Sequence, residues 1–435
     1  MEGEYKGVSR SPLLKKPQIL KQFNYLAQVV KNAEKRIGYA VAHDPDIINA
    51  ISIVEKFLRK KRRVCYGGQA INSILPKNKK FYDDSVTVPD YDFFSPTMNS
   101  DVDELIEMLQ KEGFEDVNKK LSMHEGTTKI YVNFVPVADI SEFNPRMFTI
   151  IQKRAKAVDG ILYCDEDFLR MMMYLELSRP RGEVDRWKKV FERLTLLNTE
   201  YPMKDCDEEI KVSEAVPNGV RKSILTFCQK HKRVVMGPEF IDLLDTNKSK
   251  THLETLVQRG GPVIFFSNKF ESDGEDLQDI LRENKVNIKL HLEKTADDHS
   301  FSYISLTSRG VPVCLIFEED SCHTYTILNL DIGEMRIGLP DLYLHLYFSL
   351  LLFARKEKAF FETSLDCLVK KLYRISEEHR INPTAFVPAF GLRCSGHQKG
   401  IATLMKARAQ RTNKVKKDQK EQKDQKAKTT TRKLR

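Results

Sequence analysis

Several things are missing from this 435-residue chain, and each absence excludes something. No run approaches the 18 or so consecutive apolar residues that a membrane helix needs; the longest candidate, 342–353, is short enough to be a buried helix instead. The first ten residues, MEGEYKGVSR, have no apolar core of the kind a secretory signal requires. The eight cysteines are scattered with no CxxC pair, which argues against a thiolate zinc site and, in a chain of this size, for reduced intracellular thiols. Tryptophan occurs once, at Trp187, where burial is favoured over base stacking. No internal repeat is visible in the sequence.

What is present is ample core material, 41% hydrophobic, enough for two or more domains. The formal charge is +10, and from Lys406 onward 13 Lys/Arg stand against 3 Asp/Glu. The tail therefore holds the whole excess (13 − 3 = 10) and the body is near neutral. With so few apolar residues the tail is expected to stay disordered, and its composition suits a salt-sensitive grip on nucleic-acid phosphates.

The chain is organised around residues 64–96. A short apolar strand, Val64-Cys65-Tyr66, turns through Gly67-Gly68 into a short helix, Gln69–Leu75. Lacking Cβ atoms, such a turn lets the backbone approach a phosphate and aim N–H groups at it. The chain then returns as an extended run containing Asp90-Tyr91-Asp92. On a strand, residues i and i+2 share a face, about 7 Å apart, so both carboxylates can converge on shared cations. A third carboxylate, Asp139, sits in another extended run, 130–140, where burial without a cation is costly. Three carboxylates and a glycine turn suit nucleotidyl transfer assisted by two metal ions. Taken singly, each piece has an ordinary structural reading; the order strand, Gly-Gly, helix, DxD strand, Asp strand is far more restrictive.

Around this centre, 18–43 reads as an amphipathic helix, and a second helix starts with Asp44 as N-cap and Pro45 at the first position. The basic run Arg59–Arg63 closes that helix; it suits either a helix C-terminus or contact with phosphate. A helix over 99–112 and strands over 114–123 and 127–140 follow. The segment 150–198 reads as helical, broken at 178–182. Buried strands are expected at 263–266 and 311–317, alternating ones at 286–292 and 301–306, a helical stretch at 339–374, and loop at 381–400. Glu318-Glu319-Asp320 reads as a surface acidic cluster, and Cys322-His323 as structural.

The pattern resembles the nucleotidyltransferases of the DNA polymerase β superfamily, and more narrowly the poly(A) polymerase catalytic subunits of large nucleocytoplasmic DNA viruses. The residues that carry the resemblance are YGGQAIN (66–72), PDYDFFSP (89–96), EMLQKEGFEDV (107–117), NFVPVADIS (133–141), the block 168–202, and CHTY (322–325). The interval between Gly68 and Asp90 is longer than in most of the superfamily, and Asn133 stands where some relatives carry an acid.

The resemblance implies an α+β fold: a nucleotidyltransferase domain with a mixed sheet and helices, then a second α+β domain that is a degenerate unit of the same kind. The corresponding division is 1–44 N-terminal helical segment, 45–200 catalytic domain, 201–400 second domain and 401–435 basic disordered tail. It implies addition of AMP from ATP to RNA 3′ ends, with Asp90, Asp92 and Asp139 holding two Mg²⁺ or Mn²⁺ ions. Gly67 and Gly68 would cradle phosphates, and Arg186, Lys188 and Lys189 would meet the triphosphate. It further implies an RNA 3′ end and ATP as partners, a homodimer or processivity subunit, no membrane, and a place in a virion or infected-cell cytoplasm. Transfer of another base, or a non-catalytic RNA-binding scaffold, are the competing readings.

Overall fold

The computed structural model describes residues 17–83, 85–123, 125–206, 216–258, 260–293, 302–353, 363–400 and 402–414. The N-terminal residues 1–16 and the tail beyond 414 lie outside the described residues. Helix α1 (Pro17–Ala42) leads to α2 (Pro45–Lys61), whose N-cap Asp44 accepts from the backbone N–H groups of Asp46 and Ile47. The basic run at the end of α2 serves structure. Arg63 pairs with Asp101 at 2.5 Å, Lys61 with Glu104 at 2.8 Å, and Arg59 with Glu55 at 2.9 Å.

The first sheet follows in chain order. Strand β1 (Val64–Cys65), helix α3 (Gly67–Ile74), β2 (Tyr91–Ser95), α4 (Met98–Lys111), β3 (Val117–Leu121), β4 (Thr127–Val132) and β5 (Val135–Glu142) come first. Then come α5 (Pro145–Arg154), β6 (Lys156–Val158), β7 (Ile161–Tyr163), α6 (Glu166–Leu177) and α7 (Trp187–Glu200). The spatial order is β3-β4-β5-β2-β1-β7-β6. One expected strand, 127–140, is two: Asn133 and Phe134 both adopt positive φ (48° and 65°), the backbone of a tight two-residue hairpin turn. The expected all-helical segment 150–198 contains the β6–β7 hairpin, with Asp159 and Gly160 at positive φ at its turn. Three-residue strands leave too short a period to be told from helix.

The second unit holds α8 (Asn218–Lys230), β8 (Val234–Val235), α9 (Ile241–Asp245), α10 (Leu253–Gln258), β9 (Val263–Ser267), α11 (Phe270–Glu283), β10 (Ile288–Glu293), β11 (Tyr303–Ser308) and β12 (Val311–Glu318). It continues with β13 (His323–Leu330), β14 (Gly333–Gly338), α12 (Pro340–Phe353), α13 (Leu365–Ile381) and β15 (Cys394–Ser395). Its sheet order is β10-β11-β12-β9-β8-β14-β13-β15, and except for the added edge strand β15 it repeats the first sheet strand for strand. The senses of pairing repeat too: β1 against β2 and β8 against β9 are antiparallel, while β2 with β5, and β9 with β12, are parallel.

The register makes the repeat residue-specific. Val64 and Cys65 face Phe94 and Phe93; Val234 and Val235 face Phe266 and Phe265. Asp92 and Asp139 therefore correspond to Ile264 and Leu315, both fully buried. Arg63 bound to Asp101 recurs as Arg233 bound to Asp273 at 2.6 Å. The second unit is thus a copy of the fold with apolar side chains where the first carries carboxylates.

The two units join through α6 and α12. Helix α12 is apolar on every side and almost wholly buried, as its composition requires. Tyr174 stacks on Phe348, and His345 Nδ1 lies 3.0 Å from the Met171 carbonyl. The lone Trp187 is half-buried and donates from Nε1 to the Glu176 carbonyl at 3.0 Å.

Three expectations are corrected. The cysteines are not all reduced thiols: Cys206–Cys367 and Cys322–Cys394 are disulfides, with Cα–Cα separations of 5.2 and 5.3 Å. Partners far apart in sequence leave no local spacing signal. The expected surface acidic cluster is at the surface only in part: Glu319 is 7% exposed, whereas Asp320 stays exposed, 3.5 Å from buried His323 and 3.7 Å from Arg179. Residues 402–414, expected in the disordered tail, form a helix. Leu404, Ala407, Arg408, Arg411 and Thr412 are its more sheltered side, at the spacing of one helical face.

Candidate active site

Asp92 and Asp139 are direct neighbours across the parallel β2–β5 ladder, and Lys129 is the neighbour of Asp139 across β4–β5. Asp90 precedes β2 and stays solvent-exposed, whereas Asp139 is 6% exposed and Asp92 lies between. The opposite face of these strands carries Tyr91, Phe93, Ala138 and Ile140, all buried. This alternation sets Asp92 and Asp139 on one side, and Asp90, just ahead of β2, is near enough for its charge to act on Asp92.

The group is strongly coupled. Burial, then the charges of Asp90 and Asp139, push the Asp92 carboxyl up to about 8. Partial desolvation at the cleft and the charge of Asp139 raise Asp90, although it is the most accessible of the three, against the opposing pull of Lys129 and Lys189. Burial raises Asp139 as well, although Lys129 Nζ donates to its Oδ2. Its Oδ1 is buried with no hydrogen-bond partner among the described residues. Such an oxygen calls for a cation.

The glycine turn stands beside these carboxylates. Gly67 has φ +73°, and a Cβ there would lie 2.6 Å from Asp92 Oδ2. Only glycine fits both the conformation and the approach. Tyr66 donates its backbone N–H to the Asp92 carbonyl at 2.9 Å, and its ring stacks on Phe94 with centroids 4.0 Å apart. Helix α3 then begins at Gly67, its first N–H groups unpaired within the helix.

A cation missed from the sequence stands at the second glycine. A Cβ on Gly68 would lie 2.7 Å from an Arg193 guanidinium nitrogen. Arg193 also donates to the Tyr82 hydroxyl at 2.7 Å and sits over the Phe81 ring, 4.9 Å from its centroid. The long interval between Gly68 and Asp90 brings these aromatics here. Buried Asn72, on α3, accepts from the backbone N–H groups of Phe81 and Tyr82 at 2.8 and 3.1 Å.

Of the cations expected from the sequence, two act on the carboxylates through their charge, without pairing with them. The charge of Arg186 acts on Asp92 while it pairs with Glu183 at 2.7 Å and Glu176 at 3.4 Å. The charge of Lys189 acts on Asp90, and burial together with Arg193 and Arg186 lowers its own ammonium. Lys188 is exposed and shares no described contact with the site. Lys189 and Arg193, four residues apart, lie on one face of α7; Lys188 does not. Lys129 was also missed, because only the sheet register places it against Asp139.

Among the described residues no three acidic, imidazole or thiol side chains are already gathered into a metal cage. The donors nevertheless fit a divalent cation: hard carboxylate oxygens, mutually repelling, one of them orphaned, with Lys129 as the present counter-charge.

The expected resemblance is borne out. Residues 52–183, which contain all three aspartates, match the family model described as poly(A) polymerase catalytic subunit. A protein of Acanthamoeba polyphaga mimivirus named "Putative poly(A) polymerase catalytic subunit" is 31% identical over 338 residues, covering 76% of this chain and 52% of its own length. A protein of the same name from African swine fever virus (strain Badajoz 1971 Vero-adapted) is 32% identical over 182 residues, covering 39% of this chain and 36% of its own. The chain thus spans about half the length of the mimivirus relative. The crystal structure of the Megavirus polyadenylate synthase shares the fold at a TM-score of 0.72 and 21% identity, over 96% of this chain and 84% of that one. No described helix is long and apolar enough to cross a membrane.

Proposed function

We propose that this chain extends RNA 3′ ends with AMP from ATP and releases pyrophosphate, working in virus-infected cells. The observation that carries the reading is Asp92 beside Asp139 across the β2–β5 ladder, with the charge of Asp90 acting on Asp92, against a glycine turn that opens a helix. The similarity of residues 52–183 to viral poly(A) polymerase catalytic subunits supports the choice of ATP and RNA.

In the reaction, the RNA 3′ hydroxyl loses its proton to solvent and its oxygen bonds to the α-phosphorus of ATP. The bond from that phosphorus to the bridging oxygen breaks, and the electron pair leaves with pyrophosphate. Asp90 and Asp92 would hold both divalent ions, and Asp139 the one on the primer side. Bound there, such ions make the attacking hydroxyl more acidic and offset charge on the leaving group. The backbone N–H groups of Gly67 and Gly68 meet the terminal phosphates, with Arg193, Lys189 and Arg186 supplying the counter-charge. Lys129, which holds Asp139 Oδ2, would give up that contact where the carboxylate held a cation. Association with a second copy or a processivity subunit would keep the product bound between additions.

The test uses purified protein, a short labelled RNA, Mg²⁺ or Mn²⁺ and each NTP separately, beside the Asp90→Asn/Asp92→Asn double variant. Long ladders with ATP alone, absent in the variant, are the expected result. Extension with UTP instead overturns the substrate but not the chemistry. RNA binding without extension under any condition leaves the scaffold reading in its place.

A further inference from the structure

The first sheet carries its charge in a row. Asp92 is paired with Asp139, Asp139 with Lys129, and Lys129 with Lys120 on the edge strand β3. Directly paired residues project to the same face, and neighbouring strands lie about 4.8 Å apart, so the row runs roughly 14 Å from Asp92 to Lys120. The intervening residues point the other way: Ile130 and Ala138 are buried, and Lys119 pairs with Asp103 of α4 at 2.7 Å. Lys120 is exposed and has no carboxylate partner among the described residues. Its ammonium lies 4.8 Å from the centroid of the half-buried Tyr131 ring, on the strand that also carries Lys129. A cation beside an aromatic face, next to a carboxylate centre, has the character of a single-stranded nucleic-acid track.

The same hairpin receives the basic C-terminal helix. Arg411 donates to the carbonyls of Ser122 and Met123 at 3.4 and 3.1 Å and pairs with Glu125 at 3.8 Å, at the β3–β4 turn. Lys406 and Lys414 of that helix remain exposed.

We propose that this row is the path of the RNA 3′ segment: Lys120 meets a backbone phosphate, a base stacks on Tyr131, and the terminal hydroxyl is delivered to Asp139 and Asp92. The helix 402–414, anchored on the same hairpin, flanks the path and extends its positive charge. The proposal rests on the reading of RNA as substrate and names the subsite that reading lacks.

The experiment measures binding without chemistry. Anisotropy of a 5′-labelled oligoadenylate RNA is recorded over a salt series, in EDTA and without nucleotide, for the full chain and for Lys120→Ala, Lys120→Arg, Tyr131→Ala and Tyr131→Phe. Lys120→Ala should flatten the slope of log affinity against log salt by about 0.7, the share of one single-strand phosphate, and Lys120→Arg should restore it. Tyr131→Ala should weaken binding about fivefold or more at unchanged slope, with Tyr131→Phe close to wild type. The ATP KM should not move in any of the four. Wild-type affinity and slope in Lys120→Ala overturn the path, and because Lys120 is exposed that arm decides even if Tyr131→Ala does not fold. RNA binding with a Lys120-dependent slope but no extension keeps the path and overturns adenylyl transfer. Normal extension with unaltered RNA binding in the variants does the reverse.

Discussion

Gly67 and Asp92 are in such close contact that a methyl group on the glycine would stand 2.6 Å from Asp92 Oδ2. The backbone adds a second obstacle, because φ is +73° there. Gly67→Ala should therefore abolish extension by displacing the Asp92 carboxylate, and lower stability by about 1–3 kcal/mol. Gly68→Ala meets only the ends of two flexible side chains, Tyr82 and Arg193. It should keep the fold and mainly raise the ATP KM. Urea melts and steady-state kinetics of the two variants separate these outcomes.

Activity and stability should move in opposite directions at the carboxylates. Asp92 is crowded by Asp90 and Asp139, and Asp139 Oδ1 has no partner among the described residues. Asp92→Asn should reduce kcat by about 10³-fold or more, while stabilising the metal-free protein by on the order of 1–3 kcal/mol through relief of burial and repulsion. A rise of several degrees in Tm in EDTA, with turnover lost in Mg²⁺, is the expected pair of results. A fall in Tm would show that the carboxylates do not repel one another.

The two sides of α7 should behave differently. Arg193 reaches Gly68 and Tyr82, whereas Lys188 is exposed and away from the site. Arg193→Ala should raise the ATP KM about 10- to 100-fold, the scale of a lost charge-assisted hydrogen bond. Lys188→Ala should stay within about twofold of wild type. Equal effects would remove Arg193 from the triphosphate site.

The disulfides predict a labelling pattern. Cys206–Cys367 and Cys322–Cys394 span 161 and 72 residues, while Cys65, Cys164, Cys228 and Cys314 are buried and free. Alkylation of the folded protein should modify none of the buried thiols quickly. Denaturation without reductant should expose those four and no others, as read by peptide mass spectrometry. Reductant should lower stability by about 2–4 kcal/mol per bond.

Stability should also depend on Glu319. Burial, against the pull of Ser395, Arg233 and Arg336, raises its carboxyl to about 7 from 4.5. Between those two values the folded chain holds a proton that the unfolded chain has released, so stability falls as pH rises and levels off above about 7. The loss is on the order of 3 kcal/mol. Glu319→Gln should flatten this dependence, which urea melts at pH 4.5, 6 and 8 would show.

Much of the site was legible because local chemistry wrote it. Pro45 after Asp44 marks a helix start by capping geometry, and Gly67-Gly68 between strand and helix marks a close approach. Alternation along β2 and β5 set which aspartates face together. The misread elements failed for want of length or locality. The β6–β7 hairpin offers three residues per strand, the Asn133-Phe134 turn has none of the usual glycine, and disulfide partners 72 and 161 residues apart share no spacing.

The sequence by itself determined the carboxylates, the glycine turn and the buried α12, because periodicity and residue type act within a few positions of the chain. Tertiary structure alone decided the partners. Sheet register set Lys129 and Lys120 in line with Asp139, helix packing carried Arg193 to Gly68, and pairing placed Ile264 and Leu315 where the first unit has Asp92 and Asp139. Each of these depends on which distant strands and helices meet. That choice is made by burying a shared core, and no short stretch of chain encodes it.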